Sequence, residues 1–204
     1  SSEAINFAAG VYMWGEQTGN TELRDLGIYL YSTEVSAIEQ YWFDIDEAVF
    51  PEGFTRENVG MVWSNGASYS TWWTGSTEEI HGINFLPVTS ASLYLGRHPD
   101  YVMKNYNAFE EANGGPPEFW YEVLWDYLAL ADPDKAESLM EVDPDWRVHH
   151  KAGGQDASSR AHTYHWIKNL QALGHVDIGV TADVPSYAVF NNDGVRTYAA
   201  YNSS

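Results

Sequence analysis

A chain of 204 residues and 23.0 kDa is long enough for one domain of ordinary size, burying roughly 70% of its unfolded surface. With 29 Asp and Glu against 10 Lys and Arg, the formal charge is −19 and the pI about 4.4, a surface that repels phosphate backbones and anionic membranes and so argues against nucleic acid as a partner. The absence of Cys excludes a disulfide framework, a thiolate nucleophile, an iron–sulfur cluster and any cysteine-ligated zinc site.

No run approaches 18 consecutive apolar residues, so no membrane span is read. No basic-then-apolar leader opens the chain; Ser1-Ser2-Glu3-Ala4 leads straight into an amphipathic run, which reads as a fragment or a processed product. Over residues 3–15, Ala4, Phe7, Ala8, Val11 and Trp14 recur at helical spacing until Gly19-Asn20 breaks the run. Thr21, followed by Glu22 and Leu23, reads as the N-cap of a second, longer helix reaching about Phe43, and the two predict an antiparallel hairpin. Between residues 44 and 81 the helical period is lost. Pro51, several glycines and the rings of Trp63, Tyr69, Trp72 and Trp73 mark this stretch as a loop; one of that length inside a domain is usually functional or disordered, and the rings argue against disorder.

Helical periodicity returns over residues 86–95, 99–112 and 117–131, with Pro116-Pro117 placed where a helix can begin. Asp132-Pro133-Asp134 predicts a short helix through Met140, and a further helix spans residues 158–173 and stops at Gly174. The tail changes period: Tyr187 to Phe190 and Val195 to Tyr198 flank the turn residues Asn191-Asn192-Asp193-Gly194, a β-hairpin signature. The expected organisation is a mainly α body over residues 1–180, with a β-hairpin over residues 181–204 packed on it.

Four constellations could carry chemistry. Glu3 stands in the first turn of a helix, where the dipole stabilises a carboxylate whether or not it has a further role. His162 and His165 share a helical face downstream of His149 and His150, a spacing able to hold a divalent metal, but no accompanying base motif is present and hydrogen-bonding histidines are the favoured reading. Asp132-Pro133-Asp134 and Asp143-Pro144-Asp145 resemble pieces of a calcium loop without its Gly and closing Glu, so they read as helix-starting turns. The rings from Trp63 to Trp73, with His81, cannot all be core. In a chain where 14 Tyr, 9 Trp and 8 Phe make 15% of residues, flat rings with polar edges suit the C–H face of a sugar, although rings packed over helix ends would look the same. Nucleophile elbows and phosphate loops do not occur.

Two long stretches resemble glycoside hydrolase family 81, the endo-β-1,3-glucanases. The first runs from Trp63 through Tyr69-Ser70-Thr71-Trp72-Trp73 and His81-Gly82-Ile83-Asn84-Phe85-Leu86-Pro87-Val88-Thr89 to Tyr94-Leu95-Gly96. The second runs from Ser159-Arg160-Ala161-His162-Thr163-Tyr164-His165-Trp166 to Thr197-Tyr198. Ser1-Ser2-Glu3-Ala4 is similar to the end of the family's Glu-Ser-Ser-Ser-Glu-Ala element, which places Glu3 at its second glutamate. Residues four apart share a helical face, so the two glutamates of that element point into one cleft.

The resemblance implies about half of an (α/α)6 toroid of helical hairpins and the C-terminal part of an inverting endo-β-1,3-glucanase acting on laminarin-like glucans. It implies Glu3 as the general base or its supporter, no metal or organic cofactor, and secretion to the extracellular space where polymeric glucan lies. The family's general acid lies upstream of the element, so the expected partners are β-1,3-glucan and the remaining N-terminal part of the enzyme. Inversion needs an acid and a base flanking the bond, and this chain alone is expected to be inactive. From ring position and helix-start geometry, Trp63, Tyr69, Trp72 and Trp73 are the candidate sugar-binding rings, with His81 and His162 at helix starts as hydrogen-bond partners. The alternative function is a non-catalytic carbohydrate-binding or scaffold protein that keeps the aromatic cleft without the acid.

Overall fold

Two glycines let the first two helices touch backbone to backbone. In the computed structural model, which describes residues 2–63, 66–142, 159–183 and 187–200, α1 (Ser2–Thr18) and α2 (Thr21–Tyr41) run antiparallel. Gly15 lies on the backbone of Arg24 and Gly27 on that of Tyr12, positions where any Cβ would collide with main-chain atoms. The hairpin expected from the sequence is therefore present, but its cap differs. Asn20, not Thr21, is the N-cap of α2, its Oδ1 accepting from the Leu23 N–H at 3.0 Å.

The described residues of the 44–81 stretch are not structureless. The buried Asp44 carboxylate gathers the N–H groups of Ala48, Val49 and Phe50 at 2.7–2.9 Å. Burial pushes this carboxyl up, but the three donors outweigh it and hold it below the usual range. A two-stranded ribbon, β1 (Met61–Trp63) with β2 (Gly66–Ser68), and the short helix α3 (Thr77–Gly82) complete the stretch.

The helix expected over residues 86–95 is a 3₁₀ segment, Ser90–Arg97. Its start is fixed by a reciprocal cap: Thr89 Oγ1 accepts from Ala91 N–H, and Ser92 Oγ accepts from Thr89 N–H, both at 3.1 Å. Next come α4 (Pro99–Asn113), α5 (Tyr121–Leu128), α6 (Pro133–Val142) and α7 (Arg160–Leu173). The α5 helix begins later than Pro116-Pro117 suggested, because the Glu118 N–H is tied to Glu78 Oε1 at 3.0 Å and Trp120 takes a left-handed conformation before the helix starts. Every residue of α5 is buried, which identifies it as the central helix of the domain.

Around α5 the core takes Val102, Tyr106 and Phe109 from α4, Ile167 and Leu170 from α7, and Ile5, Val35 and Ile38 from the hairpin. Phe85 lies flat on Tyr127, ring centroids 3.8 Å apart. Burying each such side chain contributes about 1.5–3 kcal/mol, so this centre outweighs the surface ion pairs, which contribute about 0–1 kcal/mol each.

The tail is a three-stranded antiparallel sheet of order β3 (His175–Val176), β4 (Tyr187–Asn192), β5 (Val195–Ala200), with Asp193-Gly194 at the turn. The hairpin matches the sequence pattern, and β3 adds a strand that the pattern did not show. Phe190 carries this sheet into the core. Gly174 ends α7 at φ 82°, against the Asn191 carbonyl, where a side chain would clash. Among the described residues no helix is long and apolar enough to cross a membrane. The turn at Asp143-Pro144-Asp145 and the residues His149 and His150 lie outside the described residues.

Candidate functional site

The candidate residues fall into two groups held by different elements. The first grows from the turn after β2. Thr71 closes it: its N–H donates to the Thr74 carbonyl at 3.1 Å, and its Oγ1 accepts from the Thr74 N–H at 3.0 Å. This tight turn carries Trp72 and Trp73 at its tip, rings edge to face with centroids 5.5 Å apart. Trp72 is 84% exposed and Trp73 is exposed as well, a large apolar surface left open.

At the foot of the turn the Tyr69 hydroxyl shares a 2.9 Å hydrogen bond with His81 Nε2, and the Arg56 guanidinium lies 4.5 Å from the centroid of the Tyr69 ring. His81 departs from expectation in both place and exposure. It sits in the last turn of α3, not at a helix start, and is 2% exposed, packed edge-on against Phe109. Neighbouring Asn105 on α4 favours the charged ring, but burial dominates and, with the nearby Arg56 charge, pushes the imidazole down to about 3. His81 is thus a neutral, fully packed partner of Tyr69. The backbone of Trp63 closes β1, and its side chain lies outside the described residues.

The second group gathers at the N-terminal ends of α1 and α7. Glu3 is exposed in the first turn of α1. One turn on, Asn6 binds the segment before the 3₁₀ element: its Nδ2 donates to the Pro87 carbonyl at 3.2 Å, and its Oδ1 accepts from Thr89 Oγ1 at 2.7 Å. Adjacent Val88 hydrogen-bonds through its backbone to the ring of His162. His162 lies in the first turn of α7, as expected, behind the cap that Ser159 supplies. Its side chain is 36% exposed, and Nε2 lies 3.7 Å from Oδ2 of Asp126.

Asp126 is fully buried on α5 with Glu122 one turn before it. Burial pushes the Asp126 carboxyl well up, against the hydrogen bond from Thr163 Oγ1 at 3.4 Å and with the help of the Glu122 charge, while burial pushes His162 down. Burial thus disfavours the charged form of both groups across this contact. Asp126 and Glu122 escaped the sequence reading, although two carboxylates four apart in the otherwise apolar run from Tyr121 to Leu128 were the available signal. Arg56 gave no such signal; it stands among loop residues without a pattern. His165 is exposed, and no three His, Asp or Glu side chains of the described residues converge as a metal site.

Residues 1–166 match the glycosyl hydrolase family 81 C-terminal domain. The chain belongs to glycosyl hydrolase family 81. Two curated relatives, each a glucan endo-1,3-beta-D-glucosidase, are similar along its length: that of Acetivibrio thermocellus is 45% identical over 205 residues, covering 100% of this chain and 26% of the relative, and that of Thermobifida fusca is 44% identical over 202 residues, covering 99% and 26%. A solved structure of a glutamate-to-alanine mutant of the family 81 glycoside hydrolase CtLam81A from Clostridium thermocellum superposes with a TM-score of 0.89 at 45% identity, over 100% of this chain and 28% of that one. The family 81 chain described here thus spans about a quarter of the length of these relatives.

Proposed function

We propose that this chain forms the C-terminal part of the catalytic region of an inverting endo-β-1,3-glucanase that hydrolyses laminarin-like glucans outside the cell. The observation that carries this reading is 45% identity along the whole chain to a protein named a glucan endo-1,3-beta-D-glucosidase. In it Glu3 is the general base or the neighbour that supports it; a carboxylate exposed at a helix N-terminus is free to reach a water. Trp63, Tyr69, Trp72 and Trp73 line the sugar subsites, Trp72 and Trp73 as an exposed platform. His162, half-exposed beside Glu3's own anchoring segment, contributes a hydrogen bond at the other end.

The chain supplies the helical hairpins of about half of an (α/α)6 toroid, and the remaining N-terminal part of the enzyme supplies the acid. Phe7 on α1, which is 67% exposed, with Trp14 beside it and Tyr29 on α2, offers that part an apolar face. The isolated chain is then silent because inversion needs both carboxyl groups.

Reducing-sugar release from laminarin by the full-length protein tests this. Release by the native protein, its loss in Glu3→Gln, and retained binding of laminarin by that variant are the expected results. A native protein that binds laminarin and releases nothing overturns the glucanase reading; a Glu3→Gln protein of native rate overturns the role of Glu3.

A further inference from the structure

Five basic side chains of this acidic chain are spent on carboxylates: Arg24 on Asp25, Lys104 on Glu47, Lys135 on Glu110, Lys168 on Glu137 and Arg196 on Asp177. Arg56 is different. It is exposed, no carboxylate of the described residues pairs with it, and its guanidinium lies over the Tyr69 ring at the foot of the turn that carries Trp72 and Trp73. A guanidinium seated over a ring leaves N–H donors free for other partners, and its five donors in one plane match the vicinal hydroxyls of a sugar ring seated on neighbouring aromatics. The ring beneath Arg56 is itself held in place: the Tyr69 hydroxyl is bonded at 2.9 Å to His81, and His81 is wedged against Phe109 in the core.

We infer that Arg56 is a glucan-binding residue, a hydroxyl donor at the edge of the Trp72–Trp73 platform, and that Tyr69 and His81 are the pedestal that positions it. This rests on the reading of the two tryptophans as a sugar platform. It also reassigns Tyr69 and His81 from groups that touch the sugar to positioning residues, His81 acting through Tyr69.

Affinity electrophoresis of the full-length protein through gels containing laminarin reads the effect directly, with migration in laminarin-free gels as the folding control. Arg56→Ala removes an exposed side chain and is expected to weaken retardation at least fivefold. Arg56→Lys keeps the charge but loses the stacked plane and falls between the two. Tyr69→Phe leaves a ring for Arg56 but cuts the link to His81; it is expected to weaken binding two- to threefold, and adding His81→Phe is expected to cost nothing more, since the same bond is already gone. A purely structural pedestal would instead give additive losses of stability with unchanged retardation, which overturns the assignment. If Arg56→Ala binds as the native protein does while Trp72→Ala loses retardation, Arg56 is not a sugar donor and the platform stands. If Trp72→Ala and Trp73→Ala are also unchanged, the platform reading falls and this inference falls with it.

Discussion

His81 and His162 looked alike in the sequence, each read as a hydrogen-bonding imidazole at a helix start, and the structure puts them in opposite settings. His81 is sealed between α3 and α4, its Nε2 engaged by Tyr69, with Phe109 on its edge. His162 remains half-open, faces a buried acid across 3.7 Å and leans on the backbone of Val88. The turn region thus seals its histidine beneath Tyr69, and the helix-end region keeps its own half-open beside Val88, next to the residues that Asn6 of α1 binds. A polar ring buried with a partner holds shape, whereas one left half-open beside a buried acid stays within reach of solvent.

The largest expected effect belongs to the helix-end region. In the full-length protein Glu3→Gln is expected to lower laminarin turnover by about 10³-fold, the middle of the range for a lost general base, with binding kept. Measured beside Trp72→Ala, which is expected to act on binding, it divides chemistry from platform. Equal behaviour of the two variants in both assays would erase the contrast between the regions.

Next in size is the acid sensitivity of the turn region. His81 holds a folded value of about 3 against 6.5 unfolded, so its neutral form stabilises the fold fully above about pH 6.5 and loses that contribution as pH falls towards 3. The slope is about 1.4 kcal/mol per pH unit, or about 3 kcal/mol between pH 6.5 and 4.5. Urea midpoints of the native chain and of His81→Gln across that window check it: the difference between them is expected to shrink as pH drops. A constant difference would mean that His81 is not the buried neutral base.

How far these regions were legible depends on how local their cause is. The helices α1, α2, α4, α6 and α7 and the β4–β5 hairpin follow from spacing, breakers and turn residues within each segment, and they appear close to where the pattern put them. What failed turned on side-chain hydrogen bonds, some local and some long-range. Asp44 organises residues 44–50 with one carboxylate, Glu78 holds Glu118 across 40 positions and delays α5, and Asn20 displaces Thr21 as a cap by choosing the better geometry. The site divides in the same way. Exposed Trp72 and Trp73 were readable as loop rings, but the burial of His81 depends on Phe109 and Asn105 from another helix, which no local pattern announces. The acid at Asp126 could have been noticed as a charge in an apolar helix, yet its proximity to His162 spans 36 positions of sequence.

That acid supplies the third test, with the opposite sign to the second. Because burial raises Asp126, its protonated form stabilises the fold fully below about pH 3.8, and the contribution is lost as pH rises above that value. Asp126→Asn keeps the acceptor for Thr163 and cannot ionise. Its melting temperature is expected to match the native chain near pH 4 and to exceed it progressively towards pH 8, by an amount equivalent to about 2 kcal/mol. A variant that is less stable at pH 8 would show that Asp126 and His162 form an ion pair after all, and the distinction between a closed and an available histidine would have to be redrawn.

The smallest effect asks whether the platform turn is held by its own hydrogen bonds or only by the pedestal beneath it. Thr71→Val preserves shape at a buried position but removes the acceptor for the Thr74 N–H at 3.0 Å. Leaving that donor unmatched is expected to cost about 1 kcal/mol, which lowers the melting temperature by about 2–4 °C in a domain of this size. The informative part is the tryptophan signal. If Trp72 and Trp73 lose their edge-to-face coupling in near-ultraviolet circular dichroism while Tyr69 and His81 are untouched, the turn closes itself and the pedestal serves Arg56. If the signal survives, the His81 bond reaches further along the chain than the turn, and a single buried imidazole holds the whole aromatic face in place.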